Sequence, residues 1–83
     1  MKLLYFAWVR TRVGLAEETV DLPPDVGDVA GLLDWLKTRS PGHAEALRNP
    51  ALVRVAVNQE FAKPDHRIAA GDEIAIFPPV TGG

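Results

Sequence analysis

The chain is 83 residues long, 47% hydrophobic and 24% charged, the balance of one small folded domain that is too short to divide into two cores. Nine Lys plus Arg against eleven Asp plus Glu leave a net charge of −2, so no basic surface tracks phosphates and nucleic acid is excluded as a partner class. There is no cysteine, which excludes a disulfide scaffold, a thiolate metal site, a cysteine nucleophile and sulfur carried as a side-chain persulfide.

Lys2 to Val9 is rich in aromatic and aliphatic residues, has no Gly or Pro, and predicts a buried strand. Arg10 to Gly14 predicts a turn or a single helical turn. Glu17 to Leu22 alternates, with Thr19 and Asp21 opposite Val20 and Leu22, and predicts a second strand ended by Pro23-Pro24. Asp28 to Arg39 is the clearest helix, because Val29, Leu32, Leu33 and Leu36 fall on one stripe, Asp28 can cap its start, and Lys37 and Arg39 suit its negative end. Ser40-Pro41 restarts the chain as a short helix to about Leu47, and Asn49-Pro50 closes it.

Leu52 to Val57 predicts a strand with Val53, Val55 and Val57 on one face, Asn58-Gln59 a tight turn, and Glu60 to Ala62 a short edge strand. After the turn Ala70-Gly71-Asp72, Glu73 to Phe77 predicts the last strand, and Pro78-Pro79 ends it. A hairpin followed by a crossover back to a parallel strand makes one mixed five-stranded sheet with one main helix across a face. This is an α+β chain of β-grasp architecture, with a domain at 1–78 and an extended tail at 79–83. No apolar run approaches the ~20 residues that cross a bilayer. The start of the chain lacks the apolar stretch and cleavage site of a signal peptide. No membrane partner is expected, and the expected location is cytoplasmic.

The usual catalytic constellations are absent. His43 and His66 have no second ligand at a metal spacing and are expected on the surface. Asp25 and Asp28 are read as helix-start residues, Asp72-Glu73 as a hairpin turn, and Trp35 as cover for a helix edge. The end of the chain stands apart. Two terminal glycines arise by chance in about 0.5% of chains, and Phe77-Pro78-Pro79 stiffens the backbone as it leaves the sheet. From Pro79 to Gly83 the extended reach is roughly 16–18 Å, enough to enter another protein's active site. Glycines without a Cβ pass a narrow tunnel and let a nucleotide phosphate approach. A protruding carboxylate suits activation by ATP to an acyl-adenylate, from which a sulfur nucleophile displaces AMP to leave a thiocarboxylate. The groups that bind Mg²⁺ and phosphate for that step are missing from this chain, so a partner enzyme must supply them.

Gly71-Asp72-Glu73-Ile74-Ala75-Ile76-Phe77-Pro78-Pro79-Val80-Thr81-Gly82-Gly83, together with Leu4-Tyr5-Phe6-Ala7, Val9-Arg10 and Val57-Asn58-Gln59, resembles the small subunits of molybdopterin synthase. These are sulfur carriers of the ubiquitin-like β-grasp superfamily, and the resemblance covers essentially the whole chain. Asp28 stands where Thr is common in that family, and Trp8 and Glu17-Glu18 are peculiar to this chain. The resemblance implies that Gly83 is adenylated by a ubiquitin-activating-like adenylyltransferase using ATP and Mg²⁺, and converted to a thiocarboxylate with sulfur from a separate donor. The charged tail then enters a large subunit that passes the sulfur to cyclic pyranopterin monophosphate. It further implies that Gly82 gives clearance, that Phe77, Pro78, Pro79, Val80 and Thr81 line the insertion path, and that this chain binds no cofactor itself.

A body patch must dock beside the tail, because ordering five tail residues costs about 5–10 kcal/mol. The sheet face opposite the helix is the candidate, with Leu4, Phe6 and Trp8 on the first strand, Ala75 and Phe77 on the last, and Arg10 at the rim. Three other readings share parts of this pattern. They are a carrier for thiamine synthesis or tRNA thiolation, a ubiquitin-like protein modifier, and a plain interaction module with a decorative tail.

Overall fold

In a computed structural model that describes residues 1–79, the chain begins with β1 (Lys2–Tyr5) and turns at once into α1 (Ala7–Val13). The predicted strand to Val9 is therefore cut short, and the predicted turn at Arg10 is the second half of this helix. Two features make the helix. Val9 and Val13, four apart, are both buried and form its inner stripe, and Gly14 ends it in the left-handed region at φ 90° with its N–H on Arg10 O. An unbroken apolar run hides that spacing in the sequence. The junction itself is sharp, because Ala7 sits at φ 53°, a conformation that favours glycine.

β2 (Glu17–Thr19) pairs antiparallel with β1, shorter than the predicted 17–22. The pairing continues past its end through two bonds between Met1 and Val20. α2 (Val29–Leu36) buries Val29, Leu32, Leu33 and Leu36 as its stripe requires, and Asp28 caps it by accepting the Gly31 N–H at 2.8 Å. α3 (Pro41–Ala46) starts from Ser40, whose hydroxyl accepts the His43 N–H, with proline at the first position. A 3₁₀ turn, Pro50–Leu52, capped by Asn49, replaces the start of the predicted strand at Leu52. β3 (Arg54–Val57) and β4 (Glu60–Ala62) then form a hairpin in which Asn58 and Gln59 both take positive φ, the geometry of a two-residue turn matched to the twist of its strands.

β5 (Glu73–Phe77) completes a sheet of order β2-β1-β5-β3-β4. Its pairing with β1 is parallel and that with β3 antiparallel, so the chain's last strand lies at the sheet's centre. The strand that follows the crossover, β3, lies one place further out. Leu3, Tyr5, Val55, Val57, Ile74 and Ile76 bury one face of the sheet against the stripes of α1 and α2. The β-grasp expectation of one mixed five-stranded sheet with the main helix across it is met, with the short helix α3 where it is expected and α1 added.

α1 and α3 touch closely. A Cβ built on Gly42 falls 2.5 Å from Arg12 O and 3.0 Å from Val13 O, so only glycine fits between these backbones. Trp8, expected on the outer sheet face, instead lies on α1, half-buried against the core with the Arg12 guanidinium 4.6 Å from its ring. Trp35 covers the edge of α2 as expected, with Arg39 5.0 Å from its ring.

Candidate functional site

The register of the sheet sets what surrounds the place where the chain leaves it. Leu4 on β1, Ala75 on β5, Ala56 on β3 and Phe61 on β4 stand in one row across the face away from α2, since Leu4 pairs with Ala75, Ala75 with Ala56, and Ala56 with Phe61. One step further along β5, Phe77 stands opposite Arg54. Its ring lies 5.9 Å from that of Phe61, tilted at 49°. Phe6 donates its N–H to Ile76 O at 3.1 Å, which brings it to the same end of the sheet. Phe61 is 81% exposed and Phe6 47%, so two phenylalanines face solvent around the exit of β5. Side chains this apolar are rarely left out in a group without a partner to cover them.

Between them, Arg54, Phe61, Phe77 and Pro79 line an open depression of about 460 Å³. Arg54 is held over its rim by donating to the carbonyls of Ala51 and Val53 at 3.2 and 3.1 Å. Pro78 and Pro79 are half-buried as they leave the sheet. Arg10, exposed on α1, is one helical turn beyond Phe6, and its N–H bonds Phe6 O at 3.3 Å. Val80, Thr81, Gly82 and Gly83 lie outside the described residues. The structure thus gathers Phe6, Phe77, Pro78 and Pro79 at one end of the sheet. It also adds Phe61, which the sequence reading passed over. The signal was available, because the two-residue turn at Asn58-Gln59 puts Phe61 opposite Ala56 and so on the outer face.

The other polar feature is a cluster at the far edge of the sheet. The Glu18 carboxylate on β2 accepts bonds from Tyr5 Oη at 2.7 Å, His43 Nε2 at 2.7 Å and Arg39 Nη2 at 3.1 Å. The other ring nitrogen of His43, Nδ1, hydrogen-bonds the Ser40 hydroxyl at 2.7 Å. His43 is 4% exposed, which overturns the expectation of a surface histidine, whereas His66 is exposed as expected. The cause is tertiary, because α3 folds back on α1 and lays the ring edge-on to Tyr5 at 5.9 Å, where Glu18 satisfies its N–H.

Burial raises the Glu18 pKa. The bonds from Tyr5 and His43 and the charges of His43 and Arg39 outweigh it and hold the carboxyl below its ordinary value. Burial, first, and then the Glu18 carboxylate push the Tyr5 hydroxyl far above its usual range, so it stays a donor. Although Ser40, His43 and Glu18 are the residue types of a hydrolytic triad, the Ser40 oxygen is occupied in capping α3, and none of the three lines the grooves at the β3–β4 edge. The cluster ties β2 to the α2–α3 junction.

Asp72 accepts from Asn58 Nδ2 at 3.0 Å and from the Ala69 N–H at 2.9 Å, as a turn residue would, and these bonds lower its pKa. Among the described residues no group of three His, Cys, Asp or Glu side chains is placed to hold a metal, and no helix is long and apolar enough to cross a membrane.

A mixed sheet grasping a helix, with its central C-terminal strand running out past two exposed phenylalanines, defines a small ubiquitin-like β-grasp protein. The family model of the ThiS family matches residues 3–83, and the chain belongs to that family. It is 40% identical over 83 residues to the molybdopterin synthase sulfur carrier subunit of Escherichia coli, covering 100% of this chain and 99% of that one. The human protein of the same name is 34% identical over 86 residues, with 100% and 93% covered. Among solved structures, a putative molybdopterin converting factor subunit 1 from Pyrococcus furiosus superposes with a TM-score of 0.79 at 31% identity over 95% of each chain. SAMP1 from Haloferax volcanii superposes with a TM-score of 0.74 at 33% identity, covering 100% of this chain and 98% of that one.

Proposed function

We propose that this chain is the sulfur carrier subunit of a molybdopterin synthase, and that its working group is the Gly83 carboxyl. A ubiquitin-activating-like adenylyltransferase binds ATP and Mg²⁺. A Gly83 carboxylate oxygen attacks the α-phosphorus and pyrophosphate leaves. Hydrosulfide released by a separate donor then attacks the acyl carbon, AMP departs with loss of the S–H proton, and the chain ends in a thiocarboxylate. Inserted into the large subunit, the thiocarboxylate gives its sulfur to cyclic pyranopterin monophosphate, with hydrolysis returning the carboxylate. Gly82 gives clearance in the tunnel, Val80 and Thr81 line the path, and the chain holds no cofactor of its own. The reaction belongs to the cytoplasm, where its partners are the large subunit, the adenylyltransferase and the donor.

The observation that carries this reading is the Phe77-Pro78-Pro79-Val80-Thr81-Gly82-Gly83 ending on the sheet's central strand, beside the exposed Phe6 and Phe61. Support comes from full-length relatives that bear the carrier's name. The ordering cost of the tail, about 5–10 kcal/mol, has to be offset by a body surface. Covering Phe61 returns roughly 1.5–3 kcal/mol and covering the half-exposed Phe6 roughly half of that. The test is intact-mass analysis of the chain after incubation with its adenylyltransferase, ATP and a sulfur donor. One oxygen should be replaced by sulfur, located at Gly83, and deleting Gly82 and Gly83 should abolish the change. Sulfur found on any other residue refutes the proposal. The likeness to small archaeal modifier protein 1 of Haloferax volcanii fits one competing reading, the protein modifier, only loosely. Isopeptide adducts joining Gly83 to lysines of other proteins would identify it.

A further inference from the structure

A second groove, about 510 Å³, lies around the β3–β4 edge from the tail exit, between the first turns of α2, the 3₁₀ turn and the residues after β4. Its floor is apolar, with Leu33, Val53 and Val55 beneath the exposed Ala30 and Ala51. It shares Arg54, Val55 and Ala62 with the depression that holds Phe77 and Pro79, so the two form one continuous surface. Its charge is lopsided. Lys63 and Arg54 make no salt bridge among the described residues, whereas the one acid, Asp34, is turned to Lys37 at 3.5 Å.

We infer that this groove receives an extended segment of the large subunit that carries an apolar anchor and a carboxylate, the anchor over Leu33 and Val53 and the carboxylate between Arg54 and Lys63. Three observations commit the groove to that occupant. The charge of its rim calls for an acid. Its continuity with the tail exit places it within reach of whatever binds the tail. The area is decisive, because a lasting complex covers ~800 Å² on each partner, roughly one-sixth of this chain's 5097 Å². Phe6, Phe61, Phe77 and the two prolines make only a part of that, and the groove is the adjoining apolar surface. The inference rests on the proposed function, which supplies the partner.

The experiment is calorimetric titration of the large subunit with the full chain and four variants. Ala30→Trp and Ala51→Trp fill the groove from exposed positions, Lys63→Glu reverses its rim, and Phe77→Ala reports on the tail exit alone. Both fillers and Lys63→Glu should raise Kd about tenfold or more while leaving the melting temperature unchanged. If they bind like the wild type while Phe77→Ala binds weakly, the groove is not part of the interface and this inference falls, with the carrier reading intact. If the wild-type chain itself does not bind the large subunit, both fall. A photo-crosslinking amino acid at position 51 gives a readout independent of fold. It should join the chain to an acid-containing segment of the large subunit, and a complex that forms without that crosslink overturns the inference.

Discussion

Replacing Phe61 with alanine separates docking from folding more cleanly than any other single change. Its ring is 81% exposed and its recorded aromatic neighbour is Phe77 at 5.9 Å, so removing it costs the free protein at most the worth of one aromatic pair, about 0.5–1.5 kcal/mol. In an assembly that covers the tail exit the same ring goes from open to buried, which is worth roughly 1.5–3 kcal/mol, or one to two powers of ten in Kd. The two effects are read by different instruments. Calorimetric titration against the large subunit should show Kd raised about 10- to 100-fold. A thermal melt of the chain alone should fall by no more than about 4–8 °C per kcal/mol lost. Phe61→Leu, which keeps most of the apolar area, should recover much of the affinity. Affinity within about twofold of wild type would mean that the partner never covers this face, and the docking surface would have to be sought elsewhere.

Gly42→Ala should destabilise the chain by about 1–3 kcal/mol, measured by urea melts, because its Cβ meets the Arg12 carbonyl at 2.5 Å and neither backbone can yield cheaply. Tyr5→Phe should cost about 1.5–3 kcal/mol by leaving the Glu18 carboxylate one charge-assisted donor short. Glu18 also sets a pH dependence. Its folded pKa lies below the ordinary 4.5, so the ionised carboxylate's stabilisation is complete above that value and is lost as pH falls through the folded one. Acid melts of wild type and Glu18→Gln should therefore differ most at neutral pH and converge as the medium becomes acidic. A gap that stayed constant down to the acid end would show that the charge contributes nothing.

Much of this molecule was legible because its local signals agree with its tertiary environment. The stripe of α2, its Asp28 cap, the Ser40-Pro41 start of α3 and the Asn58-Gln59 turn are each built from contacts a few residues apart, which the sequence displays directly. α1 was missed because its signal is overlaid. Val9 and Val13 carry the helical spacing, but Leu3 to Val9 also forms an unbroken apolar run, and the break depends on Ala7 taking a conformation alanine rarely adopts. His43 was misplaced for a different reason. Its burial depends on Glu18, 25 residues earlier, and on α3 packing against α1, and no local pattern announces a partner so distant. Phe61 was visible in register but overlooked, because a three-residue strand shows too little alternation to assert a face on its own.

The position of β5 bears on how a carrier survives its work. Under the proposed function the tail is drawn repeatedly into partner tunnels and pulls on the strand it extends, and an edge strand with one neighbour peels more easily than one held on both sides. β5 is paired over Glu73 to Ile76 with β1 on one side and over Ile74 to Phe77 with β3 on the other, and the side chains of Ile74 and Ile76 are completely buried. The strand that leads into the proposed working end is thus held on both sides within the sheet. Pulling on Gly83 loads ladders on both flanks of β5 together, so detachment requires the domain to open as a whole. Ile76→Ala, which empties the core under the last turn of that anchor, should lower the force of unfolding from the C-terminus in single-molecule pulling along with the equilibrium stability, by about 2–5 kcal/mol in the latter. An unfolding force unchanged by so large a loss would show that the pull is borne elsewhere.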